Sequence, residues 1–372
     1  MSITYNGVLN INKPEGITSF DVVAGIKRLA KVKKIGHTGT LDPMASGVLL
    51  VCLGKATKIV PFLMETTKEY RATLHLGVTT DTLDATGTVL QKTKGIVPSL
   101  EQVREAVNSF VGEIVQVPPM FSALRHQGKR LYELAREGIE VERKPREVHI
   151  YHLTIQRYEP PYLTFDVSCS KGTYIRTLCA DIGQRLGTGG HMSSLQRLRS
   201  GGMTIEQATP FAAITRETIS EILAARLLSL DDVLKFLPVI QITTEAERKV
   251  YHGMPLSPGE VVRCPESFRK GDLFRGHTPD DHLLGIFEAL TDVTGIHAGI
   301  QSSAYPDTHI HPDIRPDVHA GTRAGTCADI HPCPKMPGLC QTERENRAEG
   351  ERGREVLWFK PKRLLADIPS AV

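Results

Sequence analysis

Apolar and polar positions along this chain follow two different periods, and the switches between them mark its elements. In "ITSFDVVAGIKRLAKV" the apolar residues Val22, Val23, Ile26, Leu29 and Ala30 recur every three or four positions. That spacing predicts an amphipathic helix, with Thr18 or Ser19 accepting from the first-turn amides and Asp21 complementing the dipole. The unbroken run "GVLLVCL", residues 47–53, reads as a strand buried on both faces. "YRATLHL", residues 70–76, alternates as a strand does, and "TTDTLDATG" follows as a polar turn. Ser99 and Gln102 have capping-box spacing at the start of "SLEQVREAVNSF", and Gly138 stops a short helix in "GKRLYELAREG". "EVHIYHLTIQRY" and "YLTFDVSCS" flank Pro160-Pro161 as paired strands. In "KGTYIRTLCADIGQRLG" a glycine turn leads into a helix with Ile175, Leu178, Ile182 and Leu186 on one face, ended by Gly187. Strands and helices mix without a regular βαβ repeat, which predicts an α+β fold.

The pattern changes after about residue 235. "LPVIQITTEAERKVYHGMPLSPGEVVRC" and "HLLGIFEAL" predict a small, mostly β unit. Residues 291–354 then hold five of the fourteen histidines and three of the seven cysteines among many Pro, Gly, Asp and Arg residues. So few apolar side chains cannot offset the entropy of ordering the segment, so a disordered insertion is expected there. "VLWFKPKRLLA", residues 356–366, resumes as an apolar, strand-like run. The expected organisation is therefore one domain over 1–235, a second over 236–290 and 355–372, and an insertion at 291–354.

Composition narrows the function classes. A chain of 372 residues with 40% hydrophobic residues can build two cores. No run approaches the roughly 20 apolar residues that cross a membrane, and the N-terminus lacks the basic and apolar regions of a signal peptide. A cytoplasmic protein is expected. The cysteines, odd in number and irregular in spacing, read as reduced thiols rather than a disulfide framework. His309, His311, His319, Cys327, His331, Cys333 and Cys340 do not follow a zinc-binding spacing, so no metal is expected. A net charge of +3 permits a nucleic-acid partner without requiring one. Basic clusters at Lys27, Arg28, Lys31, Lys33 and Lys34, at Arg125, Lys129 and Arg130, and at Arg143, Lys144 and Arg146 fit either an RNA surface or solvated faces.

One stretch, "KIGHTGTLDPMASGVLLVCLGKATK", is denser in special residues than a surface loop needs. It sets Asp42, stiffened by Pro43, on a Gly/Thr-rich turn at the lip of the buried strand. Spacing alone fits a carboxylate that caps its turn as well as one that does chemistry. A phosphate-cradling loop does not fit, because the upstream glycine is missing and Ala56 stands where Ser or Thr is needed.

Five blocks in order, "KPEGITSFDVV", "GHTGTLDPMASGVLLVCLGKATK", "KEYRATLHLGVTTDTLDATG", "VPPMFSALRHQGKRLYELAREG" and "CSKGTYIRTLCADIGQRLG", resemble the motifs of the TruB family of tRNA pseudouridine synthases. The resemblance runs from about residue 7 to about 205, and the long "GHTGTLDP" block is its most specific part. It extends to the related catalytic subunit of the box H/ACA ribonucleoprotein. The resemblance implies a pseudouridine-synthase domain with a mixed, largely antiparallel sheet, followed by a small β PUA-like domain that contacts RNA. It implies isomerisation of the uridine at position 55 in the T-arm loop of tRNA by a monomer with no cofactor. On this alignment Asp42 stands at the essential aspartate, as nucleophile toward sugar or base or as a base at the ribose. Arg176 matches the arginine that pairs with it, which would lower the pKa of Asp42, and Tyr70 matches the tyrosine that stacks on the target base. His37 matches a residue that fills space left by extruded bases, and Lys13 and Lys55 fall at motif positions that could meet phosphate. Asp81 and Asp84 match a turn that buttresses the site. Gln196 stands where the family more often has a basic residue. Rival readings are a non-catalytic RNA-binding or tRNA-folding protein on the same scaffold, and a guide-RNA-dependent subunit.

Overall fold

A computed structural model describes residues 5–95, 97–295, 300–302 and 357–366. The expected insertion at 291–354, with its histidines and cysteines from His309 to Cys340, falls outside these residues except at 291–295 and 300–302. The chain divides into two compact units, one ending at Phe236 and one beginning at Leu237.

The first unit is built on a ten-stranded mixed sheet. Its main strands are β1 (Gly7–Lys13), β2 (Ile35–His37), β3 (Ser46–Leu53), β4 (Lys68–Leu76), β5 (Gly112–Gln116), β6 (Arg146–Glu159), β7 (Tyr162–Cys169) and β8 (Gly190–Ser200). From a short strand at Thr209–Pro210 the order runs β1, β3, β8, β4, β7, β6, β5, with β2 paired to β3 off this path. The pairings of β8 with β3 and of β1 with Thr209–Pro210 are parallel, and those of β1 with β3, β4 with β7 and β8, and β6 with β5 and β7 are antiparallel.

Helices α1 (Ser19–Ala30), α2 (Leu100–Asn108) and α3 (Ile175–Arg185) form where the sequence periodicity places them. Thr18 is the α1 cap: its hydroxyl accepts from the Asp21 amide while Asp21 accepts from the Thr18 amide at 2.9 Å. Ser99 and Gln102 close the same reciprocal box on α2. Val22, Val23 and Ile26 of α1 pack against Leu9, Ile11, Leu49 and Val51 of the sheet. Ile175, Leu178 and Ile182 of α3 pack against Ala72, Leu74, Phe165 and Val167.

Strand β8 has no clean alternation because both of its faces carry polar side chains. On the sheet face away from α3 lie cross-strand polar pairs: Arg71 with Asp166 at 2.7 Å, Arg199 with Glu69 at 3.2 Å, and Thr73 with Thr164 at 3.1 Å. A bulge then interrupts β8 between Arg197, opposite Tyr70, and Arg199, opposite Glu69. The extra residue, Leu198, sends the two arginines to opposite faces, as bulges do when they re-aim a side chain. Arg197 also lies opposite Gly47 of β3, whose φ is 106°. A Cβ at Gly47 would stand 2.2 Å from the Arg197 carbonyl oxygen and 2.7 Å from its amide nitrogen. Gly47→Ala is therefore expected to cost about 3 kcal/mol through backbone overlap and a disfavoured φ. Chemical denaturation of the two proteins side by side checks this, and equal midpoints would remove the argument.

The second unit holds a six-stranded sheet. Its strands are β9 (Val239–Ile242), β10 (Val261–Cys264), β11 (Leu273–His277), β12 (Leu283–Ala289) and β13 (Phe359–Leu364), with a short edge pairing at Gln301–Ser302. β13 lies antiparallel to β12, so the apolar run that resumes near the C-terminus completes the same sheet. Phe268, Phe274, Phe287, Trp358 and Phe359 form its core. Among the described residues, Cys52, Cys169, Cys179 and Cys264 are buried free thiols. No described helix is long and apolar enough to cross a membrane.

Candidate active site

Asp42 sits on the turn between β2 and β3, and neighbouring segments clamp that turn by its backbone. The Ser19 hydroxyl at the start of α1 accepts from the Leu41 amide at 2.9 Å and lies 3.2 Å from the Leu41 carbonyl. The Pro43 carbonyl accepts from the Gly16 amide at 2.8 Å and from the Lys13 ammonium at 3.4 Å. The same ammonium donates to the carbonyls of Ile17 at 2.7 Å and Pro14 at 2.8 Å, and Lys13 is fully buried. Lys13 thus ties the "KPEGI" segment to the Asp42 turn, with its ammonium donating to three carbonyls. Burial lowers its pKa to about 8, opposed by the negative charges of Asp42 and Glu15.

Arg176, in the first turn of α3, is the hub. Its Nε lies 3.0 Å from Asp42 Oδ2 and its Nη2 3.4 Å from Oδ1, a two-point grip that fixes the carboxylate plane. Nη2 also donates to the Phe121 carbonyl at 2.7 Å and Nη1 to the Thr82 carbonyl at 3.2 Å, with Asp84 Oδ2 3.7 Å from Nη1. α3 begins at a fixed point because Gln116 takes both backbone groups of Tyr174, accepting from its amide at 3.0 Å and donating to its carbonyl at 3.3 Å. Asp84 buttresses the site as expected, since its Oδ1 accepts from the hydroxyls of Thr82 at 2.7 Å and Thr86 at 2.6 Å. Thirty-five per cent of the Asp42 side chain is exposed, against 7% for Arg176. The site therefore presents one open carboxylate on a buried cation.

The pairing does not lower the pKa of Asp42 as the sequence reading expects. Burial is the largest influence and raises it; the Arg176 charge opposes that shift, and Asp84 adds to it. The net direction is upward, because crowding by protein on most sides outweighs one ion pair whose cation is shared with a second carboxylate.

Tyr70, on β4, lies opposite Val167 of β7 and Arg197 of β8, half-buried beside the core. Burial raises its phenol pKa; the Arg197 charge works against that, and the Asp42 charge adds to it. His37, on β2, accepts from the Gly39 amide through Nδ1 at 3.2 Å. Burial and then the Arg197 charge keep its pKa below the usual imidazole value, favouring the neutral ring. The structure thus gathers Asp42, Tyr70, Arg176 and Lys13, with His37 at the base of the turn. It does not gather Lys55, which follows β3 at the end away from Asp42, on the order of 25 Å along the strand. Gln196 pairs with Arg71 on β4 and Ser46 on β3, one position from Arg197, on the other face of the sheet from Asp42.

Arg197 itself was not visible as a site residue, because only the bulge after it separates it from the surface arginine at 199. It is 2% exposed, and its guanidinium donates to the carbonyls of Gly39 at 3.1 Å and Val48 at 2.6 Å, one on each side of the Asp42 turn.

Residues 27–175 match the N-terminal domain of the TruB family of pseudouridylate synthases, and residues 176–235 match the tRNA pseudouridylate synthase B C-terminal domain. A relative from Clostridium tetani is 52% identical over 281 residues, covering 76% of this chain and 94% of its own length. One from Clostridium kluyveri is 44% identical over the same shares, and both are named tRNA pseudouridine synthase B. The chain belongs to the TruB family. As a TruB-family chain it is a pseudouridine synthase, an isomerase, and its Asp42–Arg176 pair bridges the two matched segments. Among solved structures it is similar to one titled a Cbf5-Nop10-Gar1 complex, with 28% identity, a TM-score of 0.62, and 80% and 85% of the two chains covered. It is also similar to an archaeal box H/ACA Nop10-Cbf5 complex, with 29% identity, a TM-score of 0.61, and 81% and 84% covered. These solved neighbours support the α+β architecture with a mixed sheet seen in this chain.

Proposed function

We propose that this TruB-family chain converts the uridine at position 55 in the T-arm loop of tRNA to pseudouridine, acting as a monomer without a cofactor. The observation that carries the reading is the open Asp42 carboxylate gripped at 3.0 Å by the buried Arg176, with Tyr70 on the adjoining strand. The N1–C1′ bond breaks, the uracil turns, a C5–C1′ bond forms, the C5 proton leaves to solvent and N1 regains one. No electrons are gained or lost, so the reaction calls for no redox partner. A uridine stacked in a loop cannot reach a carboxylate in a cleft, so the base is flipped out and stacks on Tyr70. Asp42 acts as nucleophile toward sugar or base, or as a base at the ribose. The second unit, read as a PUA-like domain, supplies further contact to the RNA in this proposal, and the protein works in the cytoplasm.

The test uses a tRNA transcript tritiated at uridine C5, given to the purified chain alone. Release of one tritium per tRNA is expected, since the new bond must expel it. The solved neighbours come from complexes with partner proteins. If tRNA binds without tritium release, the guide-dependent reading or an RNA-binding role takes the place of this one.

A further inference from the structure

We infer that Gln116 is a positioning residue that fixes, from outside α3, where the Arg176 guanidinium meets Asp42. The inference rests on the proposed role of Asp42. α3 does not define its own start, because its cap residue, Tyr174, offers no side-chain hydrogen bond to the first-turn amides. Gln116, the last residue of β5 and 2% exposed, supplies the fixed point instead. Its Oε1 accepts from the Tyr174 amide at 3.0 Å and its Nε2 donates to the Tyr174 carbonyl at 3.3 Å. Arg176 follows two residues later.

Satisfying the Tyr174 backbone does not require a residue with both a donor and an acceptor. The Tyr174 carbonyl already accepts from the Leu178 amide within α3 at 3.0 Å, so a lone acceptor at position 116 would complete it. The second bond adds orientation, because two contacts to one residue fix its direction as well as its place. The chain leaving Gln116 then makes a further contact to the same target. The Phe121 carbonyl, five residues on, accepts from Arg176 Nη2 at 2.7 Å. Pro118 and Pro119 between them are buried and have locked φ angles, so the two contact points keep a set separation. Gln116 holds the base of the Arg176 side chain and Phe121 holds its head.

The consequence for the chemistry is geometric first and electrostatic second. Arg176 reaches the two Asp42 oxygens at 3.0 and 3.4 Å, so moving the first turn of α3 by about 1 Å breaks the two-point grip. The charged groups facing Asp42 are Arg176, Asp84 and Lys13. The Tyr70 and Tyr174 phenols, raised in pKa by burial, stay neutral at acid pH. Lys13 is held by three carbonyls, and Asp84 by the Thr82 and Thr86 hydroxyls. Of the three charges, only Arg176 is placed through Gln116.

The test is a double-mutant cycle on the full chain with tRNA, combining Gln116→Met and Arg176→Gln. Methionine is unbranched and of similar length, and it removes both hydrogen bonds. Single-turnover rate against pH, tRNA affinity and melting temperature are recorded for each protein. Gln116→Met is expected to slow the single-turnover rate by about 20-fold while changing tRNA affinity by less than about threefold. Its acid limb is expected to move to higher pH, as in Arg176→Gln, because a loosened Arg176 draws the Asp42 carboxyl down less. In the Arg176→Gln background the same exchange is expected to cost no more than about threefold further and to leave the limb in place. A residue that only stabilises the fold would lower the melting temperature without moving the limb. An unmoved limb in Gln116→Met, or rate losses that multiply across the cycle, would overturn the inference. If Gln116→Met fails to fold, Gln116→Asn decides, since it keeps donor and acceptor one methylene short. A limb moved to higher pH then supports the inference, and an unmoved one overturns it. Asp42→Asn runs in the same assay. Its retention of turnover would sink the functional reading itself, a result distinct from any outcome of the cycle.

Discussion

Replacing Asp42 with asparagine is expected to lower tritium release from tRNA by at least about a thousandfold while changing tRNA affinity by less than about tenfold. Asparagine has nearly the same shape, and the turn is held by backbone contacts from Ser19, Gly16 and Lys13 that the exchange leaves alone. Arg176 keeps Asp84 and the Thr82 and Phe121 carbonyls as partners, so the pocket stays assembled. What disappears is the partly exposed negative charge of Asp42 itself. Filter binding beside the release assay separates the two effects. Turnover within tenfold of the parent would remove Asp42 from the chemistry, and lost affinity would make it a binding residue.

Changing Arg176 has a larger structural effect and a pH signature. Arg176→Ala leaves the buried Asp84 carboxylate without its cation and two carbonyls without a donor, which is expected to cost about 3 kcal/mol of stability. Arg176→Gln is the sharper probe. The Asp42 carboxyl is already held above its ordinary range by burial, and Arg176 is the strongest influence pulling it back. Activity that needs the ionised form is present above that pKa and is lost as pH falls through it. Removing the arginine charge raises the pKa further, so the acid limb of the pH–rate profile should move to higher pH. Asp84→Asn removes an influence that raises the pKa, so its limb should move the other way. Limbs that stay in place in both variants would show that ionisation of Asp42 does not govern the profile.

Local features of the fold were legible in the sequence because their causes are local. The Thr18 and Ser99 caps, the α3 stripe and the β6–β7 pair each arise from residues within a few positions of one another. Asp42, Tyr70 and Arg176 were named through resemblance alone, and the structure brings the three close together. The surroundings of Lys13 were not legible, because a lysine beside a proline gives no hint that three carbonyls wait for it. The pKa of Asp42 was misread because sequence shows its partner but not the protein packed around it. Strand β8 was missed for a different reason. In "LQRLRS" simple alternation puts Arg197 and Arg199 on one face, and only the bulge parts them.

The sheet order places β8 between β3 and β4. Until residues 190–200 exist, the strands on either side have no partner to join them, and Asp42 and Tyr70 belong to separate half-sheets. A chain emerging from the ribosome would therefore carry two long unpaired edges for most of the synthesis of its first unit. Nearly two hundred residues must be made before the cleft can form at all. The nascent protein is thus held catalytically silent by its own topology, and it is during that interval that it is most exposed to sticking to its neighbours.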